Sequence, residues 1–219
     1  MIKIEEIEVF NFKAAFRGLR NAKDSWHLSD SYCDENNNFI LGQKDLELAQ
    51  RMLNAGTDES KFMRHIVASF DLTAPLRIWK EYDTYRVGVE KNSCSTMHTL
   101  EKKEITKDKF AFDGFDLNLP VLGTDDSTDL GWLIEDIVFY CEELRKRYNE
   151  TKNPDYYRAL ISILPDAWMQ KRTVTITYQA LRAQYFARRF HKQQEWRDYC
   201  EILTTLPYGK ELIAYRKDK

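Results

Sequence analysis

The chain is poor in cysteine, and its cysteines form no pattern that chemistry can use. Cys33, Cys94, Cys141 and Cys200 lie far apart among 219 residues, with no CxxC pair and no Cys/His cluster. This excludes a structural zinc site and a disulfide framework, and it suits reduced thiols in a cytoplasm. No apolar run approaches the roughly 18 residues of a membrane span. The opening residues, MIKIEEIEVF, place glutamates where a secretory leader needs an apolar run. Neither sign of charge is in excess. Lys and Arg total 33 against 35 Asp and Glu, for a net charge of -2 and a pI near 6.1. No electrostatic footprint for nucleic acid or for an anionic membrane exists. Internal repeats and low-complexity tracts are also missing.

What is present is enough for a core. With 43% hydrophobic residues, the chain can fold as a single domain over 1–219. Ile2, Ile4 and Val9 alternate like a strand, and Phe12, Ala15, Phe16 and Leu19 recur at helical spacing. Residues 23–38 are polar, with a turn at Asn36-Asn37-Asn38, and a helix over 44–55 is stopped by Gly56. Residues 101–127 carry Gly114, Pro120 and Gly123 and are expected to be irregular, a flap that folds over a site. The stripe Leu133, Ile134, Ile137, Val138, Cys141 and Leu144 predicts a helix over 129–148. Asn153-Pro154 caps the next one. A strand over 173–178 and helices over 179–190 and 193–206 follow. Helices and strands mix without a strict βαβ rhythm, so the fold class is α+β.

The organising stretch is residues 64–100. Ile66, Ala68, Phe70 and Leu72 alternate with Val67, Ser69, Asp71 and Thr73, predicting a strand with one buried face. Pro75 suits a first helical turn, and Leu76, Ile78, Trp79 and Tyr82 continue a helix to near Tyr85-Arg86. Val87-Gly88 then opens a loop rich in Ser, Thr and Cys. A helix end presenting Tyr85 and Arg86 beside hydroxyl groups is a candidate anion or cofactor site.

The second informative stretch runs from Leu164-Pro165, through the strand at Thr175–Thr177, to Arg188 and His191-Lys192-Gln193-Gln194-Glu195-Trp196-Arg197. Arg188 offers a permanently charged, rigid fork of donors. On the residues alone it reads first as a member of a solvated helix face, since Arg182, Arg189 and Arg197 lie close in sequence. On the residues alone His191 reads as a surface or helix-cap residue, while His65 reads as a hydrogen-bonded strand histidine as readily as a site residue. Glu195 and Arg197 fit an exposed ion pair of little energetic weight. Cys94 has no base at motif-like spacing and reads as a serine replacement.

Together the two stretches resemble the flavin-dependent thymidylate synthases. That family's hallmark is a strand ending in Ala-Pro, a helix ending in Arg-His-Arg and a loop x-x-Ser-x-Asn-Glu-x-Ser-x-Arg-Tyr. A later Leu-Pro, a strand and a helix ending in Leu-Arg complete it. The resemblance implies an α+β fold of mixed helices and antiparallel sheet, assembled as a homotetramer. It also implies transfer of a one-carbon unit from methylenetetrahydrofolate to C5 of dUMP, with FAD relaying hydride from NADPH. Carried over position by position, it makes Arg188 the residue that holds the pyrimidine and stabilises its negative charge. Glu81, Tyr82, Cys94 and Ser95 fall on nucleotide contacts. Thr84, Tyr85, Arg86, Asn92, Thr177, Gln179 and His191 fall on flavin contacts. Several positions depart from the pattern. Of Arg-His-Arg only Arg86 survives, and the asparagine expected in the helix is Ala183. The two arginines expected to grip the nucleotide phosphate fall on Thr96 and Ile161. Lys91, Lys102 and Lys103 are the nearby cations able to compensate. Two alternatives stay open: a diverged flavoenzyme for another pyrimidine nucleotide, and a non-catalytic relative serving binding or assembly.

Overall fold

The computed structural model describes residues 2–122 and 129–217. In chain order the elements are β1 (Lys3–Phe10), α1 (Phe12–Asn21), β2 (Tyr32–Cys33), β3 (Phe39–Ile40) and α2 (Gln43–Ala55). Then come β4 (Val67–Pro75), α3 (Leu76–Tyr82), β5 (Val89–Ser93), α4 (Thr96–Thr99), α5 (Leu130–Thr151) and α6 (Pro154–Ile163). β6 (Met169–Thr177), α7 (Tyr178–Arg188) and α8 (Gln194–Thr205) complete the series. The strands form a four-stranded sheet in the order β1-β4-β6-β5, with β2 and β3 in a separate antiparallel hairpin. Side-chain bonds Ser69–Thr175 and Asp71–Thr173 keep a constant register sum, so β4 and β6 run antiparallel. The backbone bonds from Thr177 to Gly88 and from Cys94 to Lys171 do the same for β5 and β6. The fold is thus α+β with mixed helices and antiparallel sheet.

Two compact units divide the chain. The first comprises Thr73–Tyr82 and Ser93–Arg172, the second Ile2–Leu72, Asp83–Asn92 and the chain from Thr173. In the first, Leu100, Ile105, Phe110, Cys141, Leu160 and Ala167 form a core lined by one face of α5 and one of α6. Asp129 caps α5 by accepting the Trp132 N–H, and Asn153 caps α6 by accepting that of Asp155, with Pro154 at the first position. Ile105, Phe110 and Ala111 are buried, so residues 105–111 of the segment after α4 are anchored in this core, while 113–116 and 118–122 are exposed. Gly123 and Ser127, which the expected flap includes, lie outside the described residues.

Glu142 ties that segment to α5. Its carboxylate accepts the Ile105 N–H at 2.8 Å and both arms of Arg145 at 2.6 and 2.7 Å. Burial pushes its pKa up, but the Arg145 hydrogen bonds, the Ile105 N–H and the nearby positive charges outweigh it. The net shift is downward from 4.5. A carboxylate with a depressed folded pKa stabilises fully above its unfolded value and loses that contribution as pH falls through the folded one. Acid unfolding of the wild type below about pH 4.5 is therefore expected to be steeper than that of Glu142→Gln, read by circular dichroism. Parallel acid transitions would contradict this.

In the second unit Phe12 and Phe16 of α1 pack on Phe39, and Phe16 also meets Phe62. Beneath them Arg20 and Asp45 form a buried ion pair. Trp196, Tyr199 and Leu203 bury the inner face of α8, and Leu181 that of α7. Tyr178 is enclosed, and its hydroxyl donates to the Pro207 carbonyl at 2.8 Å.

Several boundaries differ from those the sequence predicts, and three of these differences bear on the organising stretches. The helix after Pro75 stops at Tyr82 rather than near Tyr85-Arg86. Asp83 and Thr84 favour turns over helix interiors, and Tyr85 is drawn off by a tertiary contact. The expected loop after Gly88 begins as strand β5, at the edge of the sheet. Its residues VEKNS have no apolar alternation because only Val89 is buried, so pairing through the backbone leaves no hydropathy signal. For the same reason β6 begins at Met169, ahead of Thr173, through the polar run Gln170-Lys171-Arg172.

Candidate functional site

A cleft of about 390 Å³ opens in the second unit. Thr177 ends β6 as the N-cap of α7 and accepts the Ala180 N–H at 3.3 Å. Its own N–H donates to the Gly88 carbonyl at 2.9 Å, which lays the Val87-Gly88 turn against the start of the helix. Gly88 has φ +70, and a Cβ there would stand 2.8 Å from Thr177 Oγ1. Both the conformation and the approach require glycine. The remaining lining comes from Arg64, Thr84, Tyr85, Arg86, Gln179 and Ala183. The cleft thus sets the positive end of the α7 dipole, whose Tyr178 and Ala180 N–H groups are bonded to the Ile66 carbonyl and the Thr177 hydroxyl, beside the guanidinium groups of Arg64 and Arg86. That set suits a di-anionic phosphate or pyrophosphate. Gly88→Ala is expected to cost about 1–3 kcal/mol of stability through the strained backbone. Thermal unfolding at the wild-type Tm would contradict that.

Arg188 stands behind the cleft wall. Its Nε donates to the Tyr85 hydroxyl at 3.0 Å. Its guanidinium lies 4.9 Å from the centre of the Trp196 ring and 5.7 Å from that of Tyr85. Two aromatic faces therefore hold a half-buried cation in a defined orientation. The Tyr85 oxygen accepts from Arg188, so the phenol's own hydrogen points elsewhere. His191 sits in the turn after α7. Its Nδ1 accepts the Gln193 N–H at 3.2 Å, which puts the ring proton of the neutral tautomer on Nε2. Tyr199 and Gln184 extend the polar layer below, with a hydroxyl-to-amide bond of 2.7 Å.

Of the residues singled out from the sequence, Thr84, Tyr85, Arg86, Thr177 and Gln179 line this one cleft, and Arg188 contacts it through Tyr85. Asn92 is exposed on β5 and His65 is exposed before β4; neither lines the cleft. Lys91 pairs with Asp83 at 3.0 Å. Glu81, Tyr82, Cys94 and Ser95 belong to the first unit. Tyr82 is fully enclosed there, 5.2 Å from the Trp79 ring, so its aromatic face serves packing. Cys94 is exposed on the chain leaving β5, and Ser95 precedes the short α4. Sequence reasoning missed Arg64 in the lining and Trp196 as the support of Arg188. The aromatic at the second position of Glu195-Trp196-Arg197 was visible, but only folding shows which side chain it covers. Among the described residues no three His, Cys, Asp or Glu side chains converge as metal ligands. No helix among them is long and apolar enough to cross a membrane.

The architecture is that of flavin-dependent thymidylate synthases of known structure. One solved example is flavin-dependent thymidylate synthase ThyX from Helicobacter pylori, complexed with FAD and dUMP. It is 17% identical, covers 96% of this chain and 97% of its own, and has a TM-score of 0.68. A second structure of Helicobacter pylori ThyX with FAD and dUMP gives 17% identity, 97% coverage of both chains and a TM-score of 0.67. The UMP/dUMP methylase PolB from Streptomyces cacaoi, bound with 5-Br dUMP, gives 13% identity, 98% and 96% coverage and a TM-score of 0.62. No protein-family model and no curated protein matches by sequence.

Proposed function

We propose that this protein is a flavin-dependent enzyme of the thymidylate synthase type, methylating dUMP with methylenetetrahydrofolate and NADPH, and working as a homotetramer. The observation that carries this reading is the cleft at the start of α7, on a fold whose solved representatives hold FAD and dUMP. Its charge fits a dinucleotide: the guanidiniums of Arg64 and Arg86 and the positive end of the α7 dipole suit the pyrophosphate. Thr84 and Gln179 supply neutral hydrogen-bonding groups to the rest, while Ala183 offers only a methyl. When bound, the flavin would supply the hydride relay between NADPH and the one-carbon unit. Arg188 would stabilise negative charge on the activated pyrimidine, with Tyr85 and Trp196 setting its angle.

The visible spectrum of the purified protein, with and without added FAD, tests this directly. A bound flavin spectrum and dUMP-dependent NADPH oxidation are expected. A colourless protein that ignores FAD and shows no such oxidation would overturn the proposal. A second reading, a flavoenzyme for a different pyrimidine nucleotide, is favoured by one observation. Thr96 and Ile161 stand where the resemblance expects phosphate-binding arginines. Thermal-shift comparison of nucleotides separates the two, because the true substrate stabilises the folded state most.

A further inference from the structure

A second cleft, of about 740 Å³, opens in the second unit beside the first half of α1, and it shares no lining residue with the cleft at α7. Its walls are α1, the end of β1, the β2–β3 hairpin and the turn after α8. Phe12 and Phe39 stack there with ring centres 6.0 Å apart, and Phe12 meets Tyr208 edge-on at 5.3 Å. The Tyr208 hydroxyl accepts the Leu41 N–H at 3.0 Å and donates to the Phe39 carbonyl at 3.2 Å, which ties the turn to the hairpin. Phe10, the last residue of β1, adds a ring that is 47% exposed. Lys13 and Arg17, four residues apart on one face of α1, supply two positive charges. Neither forms an ion pair among the described residues, whereas Arg20, on the next turn, is neutralised by Asp45. No acidic side chain among the described residues lines the cleft.

We propose that this cleft is a binding site for a nucleoside phosphate, separate from the α7 cleft and independent of the flavin reading. The phosphate falls to Lys13 and Arg17, since an anion gains most from charged donors that have no counter-ion of their own. The heterocycle falls to Phe10 and Phe39, because aromatic faces hold a base by stacking whatever its identity. Asn11 and Asn37 place side-chain amides at the exposed rim, each with donors and an acceptor able to meet the edge of a base. A simple anion would need only the cations. The exposed ring, and a volume within the roughly 300–1,000 Å³ of small-molecule sites, call for a ligand with an apolar body. The backbone agrees. Asn11, Asn37 and Tyr208 have φ of 73, 62 and 55, so three of the six described non-glycine residues with positive φ line this one cleft. Such conformations cost energy and persist where the surroundings over-determine them, as the Tyr208 hydrogen bonds do here.

Cys33 provides a local reporter, because its half-buried thiol lines the cleft while the exposed Cys94 lies in the other unit. The test measures calorimetric binding of AMP, adenosine, inorganic phosphate and NADP+ to the full-length protein in saturating FAD, together with alkylation of each cysteine by mass spectrometry. AMP at about ten times its Kd is expected to slow alkylation of Cys33 by about 10-fold and to leave Cys94 unchanged. The double variant Lys13→Gln/Arg17→Gln alters only exposed side chains on a helix, so it keeps the fold. It is expected to weaken AMP by about 10- to 100-fold and to leave adenosine binding unchanged. Phe10→Ala is expected to weaken AMP and adenosine alike, by about 5- to 100-fold. NADP+ binding more tightly than AMP assigns the site to a dinucleotide, and more weakly to a free mononucleotide. Unchanged AMP affinity in the double variant overturns the proposal, as does Cys33 alkylation that AMP does not slow. Inorganic phosphate binding as tightly as AMP also overturns it, since the ring would then contribute nothing.

Discussion

Asp45→Asn is expected to destabilise the protein by about 3–5 kcal/mol, because it leaves the Arg20 guanidinium buried without its counter-charge. Asp45 is 0% exposed and Arg20 6%. One carboxylate oxygen accepts Arg20 Nε at 2.6 Å and lies 2.5 Å from its terminal nitrogen. The other accepts the hydroxyls of Ser29 and Ser31 at 2.5 and 2.6 Å. Both oxygens are therefore saturated, and the network joins α1, α2 and the chain between them. Asp30 extends it by accepting the N–H groups of Lys44 and Asp45 at the start of α2. Asparagine keeps the shape and removes the charge, so the loss isolates electrostatics from packing. For a chain of this size, each kcal/mol corresponds to roughly 2–4 °C in Tm. A drop on the order of 10 °C in a thermal melt is expected on that scale. The double variant Arg20→Met/Asp45→Leu is expected to recover much of it, since two apolar residues leave no buried charge. A single variant melting within about 2 °C of wild type would refute the argument.

Arg188→Ala is expected to reduce dUMP-dependent NADPH oxidation by about 10²–10³-fold, the usual cost of removing one preorganised donor to developing charge. The loss belongs in kcat, because the group acts on charge that develops in the reaction rather than on the bound substrate alone. Arg188→Lys is expected to rescue little. Lysine has the charge, but neither the plane that lies against Trp196 and Tyr85 nor the Nε–H that reaches the Tyr85 hydroxyl. Stability is the control, since the side chain is only half-buried and its stacking contributes modestly. FAD should still colour the variant, because Arg188 is not among the residues lining the cleft. Retention of wild-type kcat would remove Arg188 from the chemistry.

The elements that fold on a buried face were legible from the chain. β4 buries Ala68, Phe70, Leu72 and Ala74 and leaves the residues between them half-exposed, so its period of two is written in hydropathy. α5, α6 and α8 carry comparable stripes. What hydropathy missed is the backbone pairing of polar segments. The edge strand β5 pairs through the main chain with the interior strand β6, and both β5 and the start of β6 carry mostly polar side chains, so alternation has nothing to report there. The hairpin of β2 and β3, which starts inside the polar stretch 23–38 and ends just after it, was hidden because strands of two residues are too short to show alternation, although the Asn36-Asn37-Asn38 turn was visible.

The candidate site divides along a similar line. Tyr85, Arg86 and Gly88 near the end of one helix, and Thr177 and Gln179 at the start of another, stood out as residue types with suitable chemistry. The sequence alone determined that these groups exist, the order of the elements that bury an apolar face, and that glycine stands two residues after the Tyr85-Arg86 pair. Only the tertiary structure decided that segments ninety residues apart share one cleft, that Trp196 backs Arg188, and that Asp45 is a buried counter-ion. The reason is physical: spacing along a chain encodes local backbone periodicity. A cation's partner is chosen by whichever surfaces burial presses together, so Arg20 and Asp45 meet without any motif announcing it.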